Sequence, residues 1–197
     1  LGLTTSQDML SKAIVRYMRM PDRSMNLSAI IRHPACEFFP LIEAAVGYGV
    51  SEGIRAAVEL TAPALMGQVR VVVQGFGAVG SSLAYYIHTR GIGKVVAIAD
   101  KDGFVADKDG LDIMALLQAR LRQRAHLVER GAASSAVAEC DKNLICNLNE
   151  AECERFHVSL RGGRPSAQML EDLIKAAPFE VFSPCAMRYQ ITEDVVA

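Results

Sequence analysis

The chain has 197 residues, 51% apolar and 22% charged, with a formal net charge of −1. That is enough apolar material for one substantial core, and the near-neutral balance excludes a global attraction for nucleic acid or an anionic membrane. The apolar runs are too short to cross a bilayer, and five cysteines without a C-x-x-C pair fit a reducing, cytoplasmic setting better than a disulfide framework.

The opening LGLTTSQDML has no basic region, no apolar signal core and no initiator Met, and reads as the start of a fragment or a processed product. Residues 5–19 predict a helix, with Met9, Leu10, Ala13, Ile14, Tyr17 and Met18 on one face and Pro21 as its stop. Residues 43–60 predict a second helix in spite of Gly47, Gly49 and Gly53. Each glycine disfavours a helix by roughly 1 kcal/mol relative to Ala, so these three point to the close approach of another element or of a ligand.

Residues 70–80, RVVVQGFGAVG, then present strand, glycine turn and helix in direct succession. Arg70, Val71, Val72 and Val73 read as a buried strand, and Gly75, Gly77 and Gly80 follow at G-x-G-x-x-G spacing. Such a turn binds a dinucleotide: the first glycine makes the bend, the second admits a pyrophosphate, and the third lets the helix pack on the strand. The backbone N–H groups near Phe76, Ala78 and Val79 then face the phosphates at a helix amino end. Residues 81–90 predict that helix and residues 94–99 (KVVAIA) a second buried strand. Asp100 ends it, 20 residues after Gly80, where an acid meets the adenosine ribose. A carboxylate there favours NAD over NADP, and Lys101 offsets that preference, so NADP stays open.

Turn chemistry at Asp102-Gly103 and Asp109-Gly110 around Phe104-Val105-Ala106 reads as a small hairpin. Residues 111–129 predict a helix, with Ile113, Leu116, Leu117, Leu121 and Leu127 buried and Arg120, Arg122, Arg124 and His126 forming a solvated face rather than a nucleic-acid patch. In residues 131–163 short strands are expected at 143–146 (NLIC) and 156–160 (FHVSL). Cys140, Cys146, Cys153 and His157 are spaced too widely for a common structural zinc pattern and read as buried or idle thiols. Residues 166–177 predict a helix and 179–182 (FEVF) a further strand, followed by a loop carrying Pro184, Cys185 and Ala186 at its carboxyl end, where open α/β sheets bind ligands. The expected fold is α/β: a Rossmann-type, doubly wound, mainly parallel sheet flanked by helices. No nucleophile–base pair or paired-carboxylate arrangement stands out, so a cofactor platform is visible without a catalytic base.

Four of these stretches together resemble one family, the glutamate/leucine/phenylalanine/valine dehydrogenases. VVVQGFGAVG is similar to the family's V-Q-G-F-G-N-V-G cofactor turn, and VVAIADKDGFVADKDGLDIMALL to the segment that follows it. AAVGYGVSEGIRAAVE and FEVFSPCAMRYQITED match two further family segments in order, and residues 125–177 look like an insertion. The resemblance implies the cofactor half of an NAD(P)-dependent enzyme that oxidatively deaminates an L-amino acid, glutamate by family breadth, to a 2-oxo acid. The substrate and catalytic domain would lie outside this chain, leaving it inactive alone, and the full-length protein would be a homo-oligomer. The implied cofactor contacts are Gly75, Phe76, Gly77, Ala78, Val79, Gly80, Asp100, Lys101, Pro184, Cys185 and Ala186, with no catalytic and no metal-binding residue in the chain. Three positions depart from the pattern. Val46 stands for the family's nicotinamide-contacting Thr, Tyr189 for an Asn after the P-A-A loop, and Ala78 for the Asn of the turn. They motivate an alternative: a nucleotide-sensing or regulatory module that keeps the fold without the catalysis.

Overall fold

A computed structural model describes residues 34–39, 41–163 and 166–186. The helix expected at 5–19 and the residue Tyr189 lie outside the described residues. Five strands form one sheet in the order β4-β3-β2-β1-β5. They are β1 (Val69–Gln74), β2 (Gly93–Ala99), β3 (Gly103–Ala106), β4 (Ser159–Leu160) and β5 (Val181–Pro184). β1 lies at the centre of a parallel trio with β2 and β5, while β3 and β4 extend the sheet antiparallel on the β2 side. This is the expected Rossmann-like α/β architecture.

The two faces of the sheet follow from the period-2 alternation of strand side chains. Val69, Val71 and Val73 point to one face, and Val72 to the other. In β2 the alternation slips: Val95 and Ile98 share the first face, Val96 and Ala97 the second. An extra residue causes this, because Val71 pairs with Val95 but Val72 pairs with Ala97. The first face is covered by α2 (Ala78–Thr89) and α3 (Ile113–Glu129), through Leu83, Ile87, Ile113, Leu116 and Leu117. α6 (Ser166–Ala176) covers the second, packing Met169 and Leu173 against Val72, Val96 and Phe104.

α1 (Leu41–Thr61) packs on α2 at very short range. A Cβ on Gly47 would stand 2.1 Å from Ser82 Oγ and 2.5 Å from Ser82 carbonyl carbon, so Gly47 admits a neighbouring helix. Gly49 and Gly53 meet nothing within 4 Å, so no other element approaches them among the described residues. Phe38, Phe39, Tyr85, Tyr86 and Tyr48 interlock the two helices as tilted and edge-on ring pairs.

Several expected elements are corrected. The hairpin is formed by β3 against β2, Ala99 opposite Phe104, and is not contained within 102–110. The helix after the glycine turn begins at Ala78, three residues early, since Gly77 already has extended N-cap geometry. Asn143-Leu144-Ile145-Cys146 is no strand, and Ile145–Asn147 is a 3-10 turn. Within 131–163, α4 (Ser134–Cys140) and α5 (Glu150–Arg155) were unforeseen. α5 carries a capping box in which Asn149 accepts from the Glu152 N–H and Glu152 accepts from the Asn149 N–H.

The last strand runs two residues later than expected, at Val181–Pro184. Glu180 stands just ahead of it and is tied to Arg70 through backbone and side chain, which sets where pairing with β1 begins. Arg120 is buried rather than solvated. Its guanidinium donates to Ser81 Oγ at 3.1 Å and lies 4.0 Å from both Glu43 and Asp141. Burial lowers its pKa and raises that of Glu43, in each case outweighing the attraction between the opposite charges.

Candidate dinucleotide site at the strand ends

The predicted site residues converge at the carboxyl ends of β1, β2 and β5. Gly75 leaves β1 at φ +92°, a conformation that favours glycine, and its N–H donates to Ala99 O at the end of β2, 2.6 Å away. The Cys185 N–H donates to Gln74 O at 2.8 Å, which draws the loop after β5 against the same turn. A Cβ on Gly75 would lie 3.0 Å from Ala186 Cα, so residues 184–186 border the turn directly. Burial pushes the Cys185 thiol up, against the weaker opposing pull of Ser183, and keeps it neutral beside the turn.

Gly80 carries the tightest constraint. A Cβ there would stand 1.9 Å from Gly75 O and 3.1 Å from Val73 Cγ1, so the helix rests on the turn itself. Phe76 is fully buried and anchors the turn in the core. Gly77 is the N-cap of α2 and offers no side-chain cap. The orphan N–H groups that open any helix are here those of Ala78, Val79 and Gly80, and nothing from a capping side chain competes for them. Ser81 and Ser82 instead turn their hydroxyls back onto Gly77 O and Ala78 O, both at 2.6 Å. These free donors are of the kind a pyrophosphate takes, once the backbone of Lys142 that covers Gly77 is lifted away.

Asp100 stands where the spacing puts it, but its carboxylate is already engaged. Oδ1 accepts from the N–H groups of Asp102 (2.8 Å) and Gly103 (3.1 Å). Oδ2 accepts from Leu144 (2.7 Å) and Ile145 (3.0 Å). Four donors match the roughly four lone-pair sites of a carboxylate. The same segment leans over the turn: a Cβ on Gly77 would lie 3.5 Å from Lys142 Cα and 3.7 Å from Lys142 O. A ribose reaches Asp100 only by sharing or displacing the bonds from Leu144 and Ile145. Lys101 is engaged by Glu139 of α4, at 2.9 Å.

On the α1 side, Val46 and Tyr48 are exposed, and Tyr48 makes an edge-on ring contact with Tyr86 and lies under the guanidinium of Arg90. The residues that sequence reasoning missed are Lys142, Leu144 and Ile145. They act through backbone atoms 42 to 45 positions beyond Asp100, which leave no side-chain signature. No group of three or more metal-ligating side chains occurs among the described residues. Among those residues, no helix is long and apolar enough to cross a membrane.

Residues 41–197 match the glutamate/leucine/phenylalanine/valine dehydrogenase family. Among curated relatives, the chain is 33% identical over 108 residues to a probable glutamate dehydrogenase of Sinorhizobium fredii, covering 52% of this chain and 24% of the relative. It is 41% identical over 78 residues to the catabolic NAD-specific glutamate dehydrogenase RocG of Bacillus subtilis, and 45% over 78 residues to the cryptic catabolic NAD-specific glutamate dehydrogenase GudB of the same organism. Each of these two matches covers 40% of this chain and 18% of the relative, so the chain spans a quarter or less of the curated relatives it matches. A hetero-hexameric glutamate dehydrogenase from Thermus thermophilus aligns at 21% identity and a TM-score of 0.36, covering 73% of this chain and 30% of that one.

Proposed function

The chain belongs to the glutamate/leucine/phenylalanine/valine dehydrogenase family, and on that premise we propose that it forms the dinucleotide-binding part of an NAD(P)-dependent amino-acid dehydrogenase. The reaction in this reading is oxidative deamination of an L-amino acid, glutamate first, to a 2-oxo acid. The observation that carries it is the turn between β1 and α2, with Gly80 packed on Gly75 and residues 184–186 alongside. Likeness to two NAD-specific glutamate dehydrogenases supports both the choice of glutamate and of NAD over NADP.

In the proposed role, the N–H groups of Ala78, Val79 and Gly80 hold the pyrophosphate, aided by the positive end of the α2 dipole. Phe76 fixes the turn from beneath, and Pro184, Cys185 and Ala186 border the path toward the nicotinamide end. Asp100 serves the adenosine ribose once Leu144 and Ile145 share its carboxylate, with Lys101 beside it. The bound nicotinamide supplies the hydride acceptor. The protein contributes orientation and exclusion of water, and a substrate domain beyond these residues completes the site.

Titration calorimetry with NAD and with NADP tests this directly. Saturable binding is expected, tighter for NAD, and abolished by Gly77→Val; a folded sample that binds neither overturns the reading. The fully engaged Asp100 carboxylate favours a second reading, a nucleotide-sensing module. The two separate on glutamate-dependent reduction of NAD by the full-length protein: present for the enzyme, absent with binding retained for the sensor.

A further inference from the structure

The segment that covers the glycine turn is closed at its base by two thiols. Cys140 ends α4 and Cys146 sits in the 3-10 turn, with their sulfurs 3.0 Å apart. A disulfide bond measures ~2.05 Å, so only a small approach separates the pair from bonding. The surroundings hold both ends in place. Asn147 Nδ2 donates to Cys140 O at 3.3 Å and to Asn143 O, and Asn143 Nδ2 donates to Glu139 O at 3.0 Å. Asn143 and Asn147 are both buried, so this is a built substructure and not a chance surface encounter. Between the thiols lie Lys142, over Gly77, and Leu144 and Ile145, on the Asp100 carboxylate.

We propose that Cys140 and Cys146 form a reversible dithiol–disulfide site that locks residues 140–146 over the glycine turn. The oxidant is a low-molecular-weight disulfide of the glutathione class. One protein thiolate attacks a glutathione sulfur; a protein–glutathione bond forms, the glutathione S–S bond breaks, and one glutathione leaves and takes up a proton. The second thiolate attacks the protein sulfur of that mixed disulfide, the Cys140–Cys146 bond forms, and the second glutathione leaves with a proton. Two electrons pass from the protein thiols to glutathione disulfide, and excess glutathione reverses both steps.

Cys146 is the slower attacker, because partial burial, the hydrogen bond with Cys140, and Asp100 and Asp102 push its thiol up to about 12. Lys101 also faces this thiol. The first exchange accordingly falls on Cys140. A cross-link between residues 140 and 146 removes open conformations of the segment while keeping the seated one, in which the sulfurs already adjoin, so oxidation favours the seated state. The consequence for ligand binding rests on the dinucleotide reading; the disulfide and the lock do not.

The test incubates the full chain with excess glutathione disulfide, traps thiols by alkylation and maps peptides by mass spectrometry. A Cys140–Cys146 link is expected, reversed by dithiothreitol, retained in Cys153→Ser, and lost in Cys140→Ser and in Cys146→Ser. Exchange of the Leu144 and Ile145 amides should slow by about tenfold or more on oxidation, and NAD affinity should weaken by a similar factor. Thiols that stay free, or that pair elsewhere, overturn the site. A disulfide that leaves amide exchange unchanged overturns the lock. If the reduced chain binds no NAD, the proposed function fails, while mapping and amide exchange still decide the disulfide and the lock.

Discussion

Gly77 and Gly80 stand three residues apart in the same turn, yet alanine at each should do opposite things. At Gly77 the φ is −72° and the nearest atoms to an added Cβ are Lys142 Cα and O, 3.5 and 3.7 Å away, which is ordinary contact. The fold should tolerate Gly77→Ala with a loss of about 1 kcal/mol or less, the difference between Gly and Ala at an N-cap. Its methyl group would nevertheless stand in the path of a pyrophosphate. Losing one charge-assisted hydrogen bond, worth about 1.5–3 kcal/mol, weakens dinucleotide binding by roughly 10- to 150-fold. At Gly80 the added Cβ would sit 1.9 Å from a backbone oxygen, so strand or helix must move by more than 1 Å. Overpacking of that kind destabilises by about 3 kcal/mol, which for a chain of this size lowers Tm by roughly 6–12 °C. Thermal unfolding together with NAD titration reads both effects. Wild-type affinity in Gly77→Ala, or wild-type Tm in Gly80→Ala, would refute the reasoning from this turn.

Asp100→Asn leaves one oxygen to serve four N–H donors and turns an NH2 group toward two of them. A loss of about 2–4 kcal/mol in urea unfolding is expected, with faster exchange of the Leu144 and Ile145 amides; stability equal to wild type would contradict the assigned bonds. Arg120→Met strips the buried cation from Glu43 and Asp141 and should destabilise by about 3 kcal/mol. The double variant Arg120→Met/Glu43→Gln should lose less than the sum of the two singles, and strict additivity would argue against their coupling. Because burial raises Glu43 above its ordinary 4.5, the native state holds that proton more tightly than the unfolded state. Stability from this group is therefore full below 4.5 and declines as pH rises through the raised native value. Urea midpoints measured across this range should show the decline in wild type and a flatter profile in Glu43→Gln.

The parts legible in the sequence are those whose cause is local. Val71–Val73 and Val95–Ile98 are apolar on both faces because helices cover both faces, and a run of β-branched residues records that directly. The glycine turn is legible because its constraints, a positive φ at Gly75 and helix contact at Gly80, act within six residues. The rest was hidden by distance. The apolar Leu144 and Ile145 resemble a strand, yet their N–H groups go to a carboxylate more than 40 residues back, and Leu144 caps a 3-10 turn that begins at Ile145. Arg120 lies among surface arginines on the same helix, and only the tertiary placement of Glu43, Ser81 and Asp141 makes it internal. Asp100 could be located from spacing, but its partners are backbone donors, which every residue except proline carries.

The central position of β1 also governs how the chain assembles. Its partner β2 follows within about two dozen residues, but its other partner, β5, pairs Val181 with Val71 across a separation of 110 residues. Closing so long a loop is an entropic expense that local contacts cannot defray, so one side of β1 is completed late. On the ribosome, Val71, Val72 and Val73 must wait with an open strand edge until Val181 to Pro184 have emerged. During that interval the exposed edge of this valine-rich strand is prone to pair with another nascent copy.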